Sequence, residues 1–464
     1  MSRPADSKYN LTTGGILKKL LVIAVPVMGT QLLQMSYNLT DMFWLGRLST
    51  AAVAASGTCG LYLWLGMALM MFGRMGAEIG VSQNLGRGDK ETARLYGENA
   101  FMLSVALGLL YGFIMLALRR PLVGFFQIQE ADVVSSAESY LAIVSFGIPF
   151  TYAASALVGS FNASGNSRTP FYVNAVGLGI NMLLDPLMIF GFHMGIQGAA
   201  YATLISQIAS FALTALAVAR DANRPFERFH FVIKPDRRAL AQIIRWSAPI
   251  SGESAFFASM TMVTSRLISP FGQTALAVGR VGSQIESLTW LIAGGYGSAL
   301  TAFIGQNYGA RKWARIRRGF VISLTVLGVW GALTVLLMNT LGGQLYWLFL
   351  PDADVRALGV VYLRILSFCQ IPQCLEAAAG GTFKGCGRTA PPSVVSIVSN
   401  LLRVLLAWWF VHIWGALGVW AAISLTASLR GATTTIWYML ASKAQPRSDE
   451  ERDAPDDSAL ELAQ

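Results

Sequence analysis

Long apolar runs recur from end to end of this chain, about twelve in 464 residues, and no soluble core has room for them all. They centre near residues 32, 66, 107, 150, 180, 208, 257, 290, 330, 370, 402 and 428. Each approaches the ~20 residues that a helix needs to cross a bilayer. The first, Leu20 to Leu48, is longer than the apolar region of a cleaved signal peptide, and further spans follow it. Only 13% of residues are charged, about half the share in soluble domains. The net charge of +10 resides in short basic clusters between the apolar runs. That distribution fits loops at an anionic lipid surface and gives no nucleic-acid partner. Four cysteines and three scattered histidines lack metal-ligand spacing, so no disulfide framework, zinc site or cofactor is expected.

Basic residues orient the spans. With the amino-terminus, alternate loops and the carboxyl tail on one side, that side holds 25 of the 35 Lys and Arg, and the opposite loops hold seven. The expectation is a multi-pass protein of the plasma (inner) membrane with both termini cytoplasmic. Residues 1–19 read as a cytoplasmic segment, 20–220 as a first lobe of six spans and 221–245 as a basic cytoplasmic linker. Residues 246–442 read as a second six-span lobe, and 443–464 as an acidic, disordered tail.

The two lobes repeat each other at an offset near 222 residues. Pro26 meets Pro249, Gln83-Asn84-Leu85-Gly86 meets Gln306-Asn307-Tyr308-Gly309, and Ile148-Pro149 meets Ile371-Pro372. Gly165 meets Gly387, Pro170 meets Pro392, and Gly195 meets Gly415. An even number of spans per half inserts both halves the same way up. The predicted fold is therefore an all-α polytopic membrane protein: twelve transmembrane helices in two six-helix lobes, related by pseudo-two-fold symmetry along the membrane normal.

Ionisable groups within spans cost roughly 2.5 kcal/mol or more and call for a reason. Asp41 lies in the first span. Asn181 and Asp185, four apart in the fifth, share a helix face, and Pro186 follows. Thr203 in the sixth adds a hydroxyl. Two carboxylates, an amide oxygen and a hydroxyl are hard ligands for sodium; the same group suits uptake of a proton. The plainer alternative is that each aspartate bonds a neighbouring helix. The second lobe has Thr264, Arg403 and Ala407 at the positions matching Asp41, Asn181 and Asp185, so the acidic cluster belongs to one lobe. That lobe instead carries Glu253 and Glu376, each four residues after a repeat-related proline. They read equally as ligands for a cationic substrate or as ion-pair partners of Arg266, Arg280, Arg403 or Arg430. Glu286 is similar, and Arg74 and Glu78 are spaced for a structural ion pair. Gln34, Met35 and Phe257 join Glu253 and Glu376 as candidates for the lining of a substrate cavity.

Paired Gln-Asn-x-Gly turns, the FNASGNSRTP and FKGCGRTAPP loops, Pro26 with Asp41 after it, and NxxxDP before GxxGAAxAT resemble the multidrug and toxic compound extrusion (MATE) family over residues 15–442. The resemblance implies a secondary active antiporter, not an enzyme, exporting organic cations or amphiphilic drugs in exchange for protons or sodium ions. It implies a cation site of the DinF-like branch at Asp41, Asn181, Asp185 and Thr203. Glu253, Gln373 and Glu376 depart from the NorM-like pattern of the second lobe. The expected partners are small-molecule drugs and membrane lipid, with the chain a monomer. The alternative function is a lipid-linked saccharide flippase of the wider superfamily, which the acidic first lobe disfavours.

Overall fold

In a computed structural model, residues 9–128, 130–221, 224–347 and 353–443 are described, nearly all of them helical. The expected acidic tail falls almost wholly outside these residues. The first half comprises α1 (Ile16–Leu48), α2 (Thr50–Arg87), α3 (Lys90–Ala117), a short α4 (Arg119–Gly124), α5 (Ala131–Ser145), α6 (Ile148–Ala163), α7 (Arg168–Pro186) and α8 (Gly195–Arg220). The second comprises α9 (Arg237–Ile268), α10 (Gly272–Gly309), α11 (Trp313–Thr340), a short α12 (Gly342–Trp347), α13 (Ala353–Gly385), α14 (Ala390–Trp414) and α15 (Ala416–Ser442).

Nine helices among the described residues are long and apolar enough to cross a membrane, and ten if α5 and α6 form one span bent by 45°. Two further long helices, α9 with 32 residues and α15 with 27, fall short of that standard of apolarity. Arg237, Arg238, Arg245, Glu253 and Arg266 lower it in α9, as Arg430 and the Ser and Thr residues do in α15. Lipid as the solvent is legible in α14. Val394, Val398, Leu401, Leu405 and Trp408 repeat at helical spacing and are half or more exposed. Ser393, Ser396, Asn400 and Arg403 turn inward and are buried. Apolar outside and polar inside reverses the soluble pattern.

The halves repeat in three dimensions. α2 packs on α3, α5 and α6 as α10 packs on α11 and α13; α7 pairs with α8 as α14 does with α15; α1 leans on α7 as α9 does on α14. The repeated glycines explain themselves: Gly165 (φ +86°) and Gly387 (φ +76°) end their helices in left-handed turns, and Gly195 (φ +57°) and Gly415 (φ +59°) stand at the starts of α8 and α15, the first as the opening residue and the second just ahead. Capping sets other boundaries. Ser49 accepts the Ala52 amide at 3.0 Å to open α2, and Asp89 accepts that of Thr92 at 2.9 Å to open α3. The Thr92 hydroxyl and amide also hold the Asp89 carboxyl below the usual carboxylate range.

The lobes meet along α1–α10, α2–α9 and α2–α10. At the ends of α2 and α10 the two Gln-Asn-x-Gly turns lock together reciprocally. A Cβ on Gly86 would stand 2.0 Å from the Gln306 carbonyl oxygen, and one on Gly309 would stand 1.8 Å from that of Gln83. Gln83 Nε2 donates to the Gly385 carbonyl at 2.9 Å, and Gln306 Nε2 to that of Ala163 at 2.7 Å. A leader ahead of α1 crosses the same face. Leu11 is buried, Lys312 Nζ donates to the Thr12 carbonyl at 2.8 Å, and Arg315 donates to those of Leu11 and Gly14 at 3.1 and 2.9 Å. This face carries the basic loops.

Candidate functional site

α7 buries Asn181 and Asp185 completely, and Asn181 Nδ2 donates to Asp185 Oδ1 at 3.1 Å. Pro186 supplies no amide to the helix, and the chain runs on through a wider π-helical turn, Leu187–Gly191. Across from it, α8 presents buried Thr203, whose Oγ1 accepts a hydrogen bond from the Tyr37 hydroxyl at 3.1 Å. Tyr37 lies one helical turn before Asp41 on α1. The charges of Asp41 and Asp185 act on each other, on Tyr37 and on the Tyr140 hydroxyl of α5. All four residues of the expected cluster thus come together from α1, α7 and α8. Tyr37 and Tyr140 are additions. The i,i+4 spacing to Asp41 could have disclosed the first; no local pattern points to the second.

Three acceptors in this cluster are buried with no hydrogen-bond partner among the described residues: Asp41 Oδ1, Asn181 Oδ1 and Asp185 Oδ2. A buried acceptor left unmet costs about 1–3 kcal/mol, and more for a carboxylate. The Tyr37 hydroxyl already donates to Thr203, and the Asn181 amide to the other Asp185 oxygen. What such a group of oxygens can take is a cation: a proton on a carboxylate, or a sodium ion with the Thr203 and Tyr37 hydroxyls completing a hard-oxygen shell.

A second feature lies between the lobes, a cavity of about 460 Å3 walled mainly by α10 and α13 with contributions from α1, α2, α9, α14 and α15. Glu253 and Glu376 line it; Gln34, Met35 and Phe257 do not. Gln34 is exposed on α1, and Phe257 sits under the Arg403 guanidinium at 5.8 Å. Glu376 Oε2 pairs with Arg430 Nε at 2.9 Å, whereas Glu253 Oε2 accepts the Ser393 hydroxyl at 2.9 Å with no cation within 4 Å among the described residues. The Arg74–Glu78 ion pair expected from spacing does not form. Glu78 is buried and accepts from Ser298 of α10 at 2.9 Å, and Arg74 Nε has no hydrogen-bond partner among the described residues. Glu78 turns toward the other lobe while Arg74 faces the cavity. Glu286 interacts electrostatically with Arg403.

Because both members of the Glu376–Arg430 pair are largely buried, removing one strands the other. Arg430→Gln is expected to cost about 3–5 kcal/mol, and Glu376→Gln combined with it to recover most of the loss. Thermal unfolding of the detergent-solubilised protein measures both; equal stability of the three chains would refute the pairing as a stability element.

The MatE family model matches residues 26–187 and 249–409, two segments that start at the repeat-related Pro26 and Pro249. The chain is 25% identical to the probable multidrug resistance protein NorM of Thermotoga maritima, over 93% of this chain and 94% of that one. It is 24% identical to the multidrug resistance protein PmpM of Pseudomonas aeruginosa, over 92% of each. Its fold superposes with a TM-score of 0.90 on an outward-facing multidrug resistance MATE family transporter, at 21% identity over 96% of this chain and 100% of that one.

Proposed function

The chain belongs to the MatE family, and from that premise we propose that it is a secondary active antiporter exporting organic cations or amphiphilic drugs in exchange for protons or sodium ions. The observation that carries this reading is the group of unmet, buried oxygens of Asp41, Asn181 and Asp185 in one lobe of a two-lobe membrane fold. A cation entering from outside would satisfy them and let α1, α7 and α8 draw together. Movement of α1 alters the wall of the cavity at Gln31, so ion uptake and cargo release are linked. The loaded protein then turns inward, gives up the ion and accepts the next cargo. Coupling requires the ion to bind the two states with different affinity, which carboxylates whose separation changes with the state provide. The membrane is taken to be the plasma membrane, with both termini cytoplasmic and the chain acting as a monomer. The multidrug resistance names of the relatives favour export over the flippase alternative.

Efflux of a fluorescent cation from everted vesicles, driven in turn by an imposed pH gradient and an imposed sodium gradient, tests the reading. Uphill efflux under one gradient is the expected result. Dye movement that follows neither gradient, alongside movement of a lipid-linked saccharide, would reverse it.

A further inference from the structure

The charges that face the inter-lobe cavity are Arg74 from α2, Glu253 from α9, Glu376 and Lys384 from α13, and Arg430 from α15. Glu376 and Arg430 neutralise each other at 2.9 Å. Glu253 accepts the Ser393 hydroxyl and has no cation within 4 Å among the described residues, although its charge is felt at Arg430. At ion-pair distance, that leaves two cations, Arg74 and Lys384, and one carboxylate without a partner among the described residues. Lys384 has no acid within 4 Å and makes no hydrogen bond among the described residues, and the Arg74 Nε is a buried donor with nothing to donate to. Lys384 acts on Glu376 from a distance, and a further acid, Glu78, acts on both cations electrostatically but is wholly buried, occupied by Ser298, and not part of the cavity wall.

A wall that held only organic cations would present the opposite balance. Two unengaged nitrogen donors on α2 and α13, at a site lined by Trp290 and Met71 as well, are suited to an anionic group on an amphiphile. We propose that Arg74 and Lys384 form an anion subsite of this cavity, and that the cargo includes molecules bearing a carboxylate or phosphate, with Glu253 left to meet a positive group on the same molecule. The inference deepens the efflux reading, since it assigns chemistry to the cavity which that reading treats as the cargo site.

Rhodamine 110, a zwitterion with a free carboxylate, and rhodamine 123, its cationic methyl ester, differ in the one group that matters. Fluorescence anisotropy with the purified full-length protein should give about tenfold tighter binding of rhodamine 110, the effect of roughly one charge-assisted contact. Lys384→Gln should remove most of that preference while leaving rhodamine 123 affinity within about twofold, and Lys384→Arg should restore it. Arg74→Gln should act in the same direction. Equal affinity of the wild type for the two dyes, or variants that weaken both dyes alike, overturns the subsite. Gradient-driven efflux of rhodamine 123 without any preference for the acid would sink the subsite and leave the antiporter standing. Preference for the acid with no gradient-driven efflux would do the reverse.

Discussion

Asp41→Asn and Asp185→Asn each lower ion-driven dye efflux from proteoliposomes by about ten- to hundredfold, the range expected when a coupling ligand is removed. Asparagine keeps the side-chain volume and one oxygen but removes the charge, so packing of α1 against α7 is retained. Because the two carboxylates act on one another, the double variant should be no worse than the more impaired single one. Dye binding without a gradient should survive, since neither residue lines the 460 Å3 cavity. Efflux at the wild-type rate in either single variant would remove the cation site from the mechanism.

The second large effect is expected at the seam between the Gln-Asn-x-Gly turns. Glycine to alanine inside a helix ordinarily stabilises it by about 1 kcal/mol. At Gly309 the sign should reverse, because the new methyl group would sit 1.8 Å from the Gln83 carbonyl oxygen, and backbone cannot swing aside as a side chain can. Gly309→Ala is expected to hold the lobes apart at the basic face and to cut efflux by about tenfold. A cysteine replacing Ser82, which is buried against Gly305 across the seam, should then react with a membrane-impermeant maleimide added from that face, and should be protected otherwise. Gly60→Ala is the control, since nothing lies within 4 Å of the Cβ it would add, and it should be neutral or mildly stabilising. Equal labelling of Ser82→Cys with and without Gly309→Ala would mean that the seam does not close the face.

The helical, two-lobe architecture was legible because lipid demands it: spans must be apolar, helical and of bilayer length, and those demands leave a plain trace in a sequence. Where a span tolerates charge, the trace fades, as in α9 and α15. Asp41, Asn181 and Asp185 were legible for a related reason, since an aspartate in an apolar run is conspicuous and a spacing of four fixes the shared face. Tyr140 was not, because a tyrosine on α5 is unremarkable until the fold brings it beside charges from α1 and α7. The same limit explains Arg74 and Glu78. Spacing places two side chains on one helix face, but it does not reveal that Ser298 of another helix offers Glu78 a closer partner. Glu376 with Arg430 shows the complementary case, in which a short catalogue of partners contained the right one and only the crossing of α13 and α15 could select it.

α1 has a mechanical consequence of its own. It begins immediately after the leader gripped by Lys312 and Arg315, and carries Tyr37 and Asp41 toward its other end. Its 33 residues give it a length of about 50 Å, with Pro26 as the point where it can flex. Such a helix joins the Tyr37–Asp41 end directly to the leader on the far face, with no other element between them.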